Sequence, residues 1–221
     1  TEYSLNWSGY VAATSEISPD ATVTFVNASW TVPTVTSPPK TAYSATWIGI
    51  GGSFQGDESL IQVGTAQFIQ RGVAYYFAWY ELLPASMVVI SGVSIEPGDV
   101  INASITLTNP SANEWTIELD DLDTPYKDFS LPVTYISSRL SAEWIEEAPS
   151  IGRHILRLAD FGTVTFTGCY ATIGGATASI SGFGYHEDIV MVVKYRGTYV
   201  SAATPSVLSA GGMSFTVTFS I

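Results

Sequence analysis

The sequence predicts an all-β protein in which short antiparallel strands form a two-sheet sandwich or a barrel, with almost no helix. Three observations carry this. Apolar and polar residues alternate with a period of two through much of the chain. Turn-forming stretches interrupt the alternation at "SPPK", "IEPGD", "TNPSAN" and "TIGGAT". Only "GRHILRLADF" could hold a short helix.

Taken in order, strands are expected at "ATVTFVNASWTV", "YSATWIGI", "ESLIQVGTAQF" and "AYYFAWYELL", each dense in β-branched or aromatic residues. "VINASITLT" follows and places Ile101, Ala103, Ile105 and Leu107 on one face. "EWTIEL", "GTVTFTG" and "DIVMVVKY" continue the series. "MSFTVTFSI" closes it, with Met213, Phe215, Val217, Phe219 and Ile221 sharing a face. No Pro/Ser/Gly-rich linker, charge block or internal repeat divides the 221 residues, so one domain over 1–221 is expected. One face of such a sandwich often curves into a groove.

The chain carries 20 Asp and Glu against 8 Lys and Arg, a net charge of -12, yet only 13% of its residues are charged. A surface so poor in cations gains little positive charge when its carboxylates protonate, which limits repulsion in acid. An acidic extracellular setting fits, as does a merely acidic secreted protein. Nucleic acid is excluded as a partner by the missing basic footprint, and no apolar stretch is long enough for a membrane-spanning helix. A monomer is the expectation. The start at Thr1, without a signal-like stretch, reads as a processed mature protein or a trimmed chain, and secretion is the expectation. The sequons at Asn6, Asn27 and Asn102 permit glycosylation in a eukaryote.

Several catalytic constellations fail. The two imidazoles, His154 and His186, lack zinc-site spacing, and no Gly-x-Ser-x-Gly elbow occurs. Cys169, the single cysteine, has no basic neighbour in sequence and reads as a packed side chain. The run "ELDDLDTPYKD" offers Asp120, Asp121 and Asp123 to calcium but lacks an EF-hand's full ligand set and glycine, so it reads as a solvated acidic turn. No metal and no cofactor are expected. "GIGGSFQG" lacks the strand-to-helix context of a phosphate loop and reads as a mobile connection.

Aromatic and acidic residues on strands remain. In "ESLIQVGTAQF", Gln62 lies on the face opposite Ile61 and Val63, in solvent or in a groove. Phe77, Trp79 and Glu81 share a face of the next strand. In "AEWIEEAPS", Glu143, Ile145 and Glu147 share one face while Trp144 and Glu146 take the other. A carboxyl in mid-strand beside large apolar groups is a candidate for acid/base work, although "EWIEE" taken alone reads as a solvated edge strand.

Five motifs in order resemble the glutamic peptidases, or eqolisins: "NWSGYV" at Asn6 to Val11, "ATWIGIGG" at Ala45 to Gly52, "SLIQVGT" at Ser59 to Thr65, "AWYELLP" at Ala78 to Pro84, and "AEWIEEAPS" at Ala142 to Ser150. The resemblance implies an acid-active endopeptidase on a lectin-like, jelly-roll β-sandwich. It implies Gln62 and Glu147 as catalytic residues, with Trp7, Trp47 and Glu81 lining the substrate groove, and no metal. Period two supports Glu147 over Glu146, because only Glu147 lies opposite Trp144. Gly51 departs from the family, whose fungal members often carry aspartate there. The resemblance also implies that a precursor segment, if the gene encodes one, has been removed.

The chemistry follows from the residue types. A carboxamide donates and accepts hydrogen bonds without titrating in acid, and a glutamate can serve as base where histidine would be protonated. Two sugar-directed alternatives stay open at this point: a glycosidase using Glu81 with Glu147, and a carbohydrate-binding module that stacks sugar rings on tryptophan.

Overall fold

The computed structural model describes residues 1–17, 19–36, 40–124 and 128–221. Most of the "SPPK" turn lies outside them. One layer contains β3 (Val23–Thr31), β8 (Val100–Asn109), β9 (Glu114–Asp121), β10 (Asp128–Thr134), β14 (Thr163–Ile173) and β18 (Phe215–Phe219). The other contains β2 (Trp7–Ala13), β4 (Ala42–Ile50), β5 (Ile61–Gln70), β6 (Val73–Leu82), β7 (Val88–Val89), β11 (Ala142–Glu147) and β16 (Tyr185–Tyr195). Their hydrogen-bonded order is β10-β9-β8-β3-β14-β18, then through β17 (Thr198–Pro205) to β16-β2-β11-β4-β5-β6-β7, with β1 (Glu2–Ser4) paired to β16 and β15 (Ala176–Ser179) to β14. Because β3, β8, β9 and β14 contact β4, β5 and β11, the path doubles back into the expected two-sheet sandwich.

Alternation builds the core. In β8, Ile101, Ala103, Ile105 and Leu107 are buried, and they meet Ile48, Ile50, Ile61 and Val63 of the facing layer. Trp30, Trp115 and Trp144 are buried there too, and each indole finds a partner: Thr65 Oγ1, Tyr135 O and Asn27 O. A second, smaller apolar cluster of Val11, Trp47, Leu60, Trp79 and Ile145 lies on the outer face of the β2-β11-β4-β5-β6 layer. It forms a floor under the groove.

Some expectations change. "EWIEE" is no solvated edge: β11 sits between β2 and β4, with Glu143 and Glu146 buried. "GRHILRLADF" forms no helix. It begins with the turn and second strand of a hairpin, in which β12 (Ser150–Ile151) pairs with β13 (His154–Ile155), and its backbone then bonds to Tyr43 and Thr36. The last strand is shorter than its alternation suggested, and Met213 and Ile221 lie exposed beyond its ends. The alternation reading named neither β10 nor β17. Pro132 is tolerated in β10 because that strand ends the sheet.

Candidate active site

Five strands position the site. Across β2, β11, β4, β5 and β6 the register aligns Trp7, Glu147, Ala45, Ala66 and Phe77 in one row. Gly49, Gln62 and Glu81 lie in another. All but Gly49 line one groove of about 1170 Å³, together with Asn6, Trp79, Leu83 and Met87. Trp47 and Gly64 occupy the row between. A β-carbon on Gly64 would strike the Thr46 carbonyl and Trp47, so glycine is what lets the indole settle against the neighbouring strand.

Gln62 is 4% exposed. Its Nε2 donates to Glu81 Oε2 at 2.7 Å, across a directly opposed strand pair. That uses one of the two amide N–H bonds, while Oε1 is buried without a partner among the described residues. One donor and one acceptor therefore remain for other hydrogen bonds. Burial raises the Glu81 carboxyl above its ordinary value, against the lowering effect of Gln62.

Glu147 is half-buried at the end of β11. Both of its oxygens are held: Trp47 Nε1 donates to Oε2 at 2.8 Å and Asn6 Nδ2 to Oε1 at 3.1 Å. Trp7 packs edge-on against Trp47, with ring centroids 5.0 Å apart. Desolvation raises the Glu147 pKa, the N–H donors of Trp47, Asn6 and Trp7 pull it down, and the nearby charge of Glu81 raises it further. These donors offset only part of the effect of burial, and the carboxyl is held at a pKa of about 7, above its ordinary value.

Trp47 needs a correction. It was expected to line the groove, but it is fully buried beneath it and acts as a hydrogen-bond donor to Glu147. Trp7 and Glu81 do line the groove. Asn6, flagged only as part of a motif and a sequon, is the residue whose role was missed. Trp79 Nε1 is a further buried donor without a partner among the described residues.

Glu146 takes the other side of the strand. It is fully buried, and Thr46 donates to its Oε2 at 2.5 Å. Desolvation lifts its pKa to about 8, with the Thr46 and Ser44 hydroxyls working against that rise. Glu143 is also buried, and desolvation pushes its carboxyl well above its ordinary value. The loop after β4 is fastened rather than loose. Asp57 accepts from Gly52 N, Ser59 N, Ser59 Oγ and Ser138 Oγ. Burial pushes the Asp57 carboxyl up, but these donors outweigh it and hold the pKa below its ordinary value. Gly51 and Gly52, at φ 87° each, make the left-handed turn into this loop. Cys169 is buried in the core, which raises its thiol pKa. His154 and His186 lie outside the groove lining.

The fold and groove define a class: a β-sandwich with one groove lined by carboxyls and a carboxamide among aromatic side chains. The model of the Peptidase A4 family matches residues 5–217, and the chain belongs to that family. It is 29% identical over 238 aligned positions to Aspergillopepsin-2 of Aspergillus niger, covering 99% of this chain and 78% of that protein. It is 31% identical to Scytalidopepsin B of Scytalidium lignicola, covering 91% and 76%. Among solved structures, scytalido-glutamic peptidase with a transition state analogue inhibitor superposes with a TM-score of 0.78 at 23% identity, covering 97% of this chain and 98% of that one. Aspergilloglutamic peptidase from Aspergillus niger gives 0.67 at 28% identity, covering 81% and 99%. The protein is an acid endopeptidase of the glutamic type, and polypeptides are its substrates.

Proposed function

We propose that Gln62 and Glu147 are the catalytic dyad of this peptidase. The observation that carries the reading is their complementary provision in one groove: a carboxyl held by two N–H donors, and an amide with one acceptor and one N–H uncommitted. Water between them donates to Gln62 Oε1 and loses a proton to ionised Glu147 as its oxygen attacks the peptide carbonyl. The spare Gln62 N–H donates to the oxyanion that develops. Glu147 then returns the proton to the departing amine, so the cycle ends with the enzyme in its starting state. Trp47 and Asn6 position Glu147, and Glu81 orients the Gln62 amide.

Among the described residues the groove has no lysine or arginine in its lining, and its walls are largely aromatic and apolar. That suits an extended polypeptide chain opened by acid. A single-domain, secreted enzyme working as a monomer in an acidic medium accords with the lean cation count and with the fungal peptidases it resembles. Catalysis draws on protein groups alone in this reading.

The test is hydrolysis of an acid-unfolded protein at pH about 3 and about 7 by the wild type and by folded Gln62→Ala and Glu147→Gln variants. Cleavage at the lower pH that both substitutions abolish is the expected result. Undiminished cleavage by either variant would remove that residue from the dyad.

A further inference from the structure

We propose that Asp99, Asp121 and Asp123 form a calcium site on the layer opposite the groove. The run "DDLD" suggested a solvated acidic turn, and the fold changes its membership. Asp120 stands in register with Asn102 and Asp128, whereas Asp121 alternates to the other side of β9 and is joined there by Asp99, which immediately precedes β8. Each of the three carboxyls offers one oxygen, and these oxygens lie within 4.8 Å of one another. Ligands at calcium's usual bond length can be about 5 Å apart across one ion.

Asp121 points to a ligand. It is 2% exposed, and its Oδ2 is buried without a hydrogen-bond partner among the described residues. A buried carboxylate oxygen left unpaired is costly unless a cation or donor meets it.

The carboxyls are also oriented in advance. One oxygen of each accepts a backbone N–H: Glu96 N to Asp99 Oδ2 at 2.7 Å, Val100 N to Asp123 Oδ2 at 2.8 Å, and Asp123 N to Asp121 Oδ1 at 3.1 Å. The second oxygen of each remains for an ion. An all-oxygen, all-carboxylate set without histidine or cysteine selects a hard cation, and convergence from two strand ends and a turn suits calcium's tolerant geometry better than magnesium's strict octahedron. Bound calcium would pin the start of β8 to the end of β9.

The experiment is thermal unfolding at neutral pH of chelator-stripped, buffer-exchanged protein titrated with calcium chloride, with magnesium chloride at equal ionic strength as control. The wild type is expected to show a saturable rise in Tm of roughly 5 °C with calcium. The rise with magnesium should be clearly smaller. Asp121→Asn and Asp99→Asn should fold and lose the calcium-dependent rise. Asp99 is more exposed, so Asp99→Asn carries the test if Asp121→Asn fails to fold. Absence of a wild-type rise, an equal rise with magnesium, or a full calcium response in a folded variant would overturn the proposal. Peptidase activity plays no part in the readout, so the result is independent of the dyad.

Discussion

The two sides of β11 treat neighbouring glutamates in opposite ways. On the groove side, Glu147 meets the indole N–H of Trp47 and the amide of Asn6, donors that stabilise a negative charge. On the inner side, Glu146 is sealed in the core, where the Thr46 hydroxyl donates to it and only partly offsets the cost of burying its charge. Burial raises both carboxyls. The difference therefore lies in access: Glu147 faces the groove, while Glu146 is shut in the core as a neutral acid.

Substitutions can break that contrast or sharpen it. The largest of these effects is expected at Gln62. Gln62→Ala removes the oxyanion donor and the water acceptor together and should lower kcat by about 10²- to 10³-fold, read from steady-state kinetics in acid. Trp47→Phe keeps most of the buried ring but deletes the donor to Glu147 Oε2. A drop in kcat/KM of about tenfold is expected, and the acidic limb of its pH profile should move to higher pH, because the lost N–H had favoured the ionised carboxyl. Asn6→Ala removes the longer, 3.1 Å bond and should cost only about threefold with a smaller shift in the same direction. An unmoved acidic limb in both variants would mean that these donors do not tune the working group.

The inner side is probed by stability. Glu146 has a folded pKa of about 8 against an ordinary value of 4.5. Below pH 4.5 both folded and unfolded chains hold its proton, and the contribution to stability is fully present. Between 4.5 and about 8 the unfolded chain releases a proton that the folded one retains, so stability falls as pH rises. The slope is roughly 1 kcal/mol per pH unit for one such carboxyl. Glu143 acts in the same direction. Denaturant unfolding across this range should show the decline, and Glu146→Gln should flatten it by one carboxyl's share. Stability that instead increases from pH 4.5 to 8 would contradict a neutral Glu146.

The sequence made the faces legible because alternation is local. It placed Gln62 opposite Ile61 and Val63, and Glu147 on the face opposite Trp144 and Glu146. It could not show who would meet those side chains. That depends on β11 lying between β2 and β4, which brings Asn6 and Trp47 to Glu147 from 141 and 100 residues away. The same limit hid Asp99, whose neighbours depend on the pairing of β8 with β9. In "GRHILRLADF", the spacing of Ile155, Leu156 and Leu158 mimics a helical face. Backbone bonds to Tyr43 and Thr36 fix the segment as extended chain, an outcome that no local propensity contains.

The most direct test sets the two glutamates side by side: Glu147→Gln and Glu146→Gln, each checked by circular dichroism for a native fold, assayed on an acid-unfolded protein at pH about 3. Glu147→Gln is predicted to lose roughly a thousandfold in kcat, and Glu146→Gln to stay within about threefold of the wild type. The reverse order, an active Glu147→Gln beside an inactive but folded Glu146→Gln, would contradict the assignment of the groove-facing carboxyl as the catalytic group.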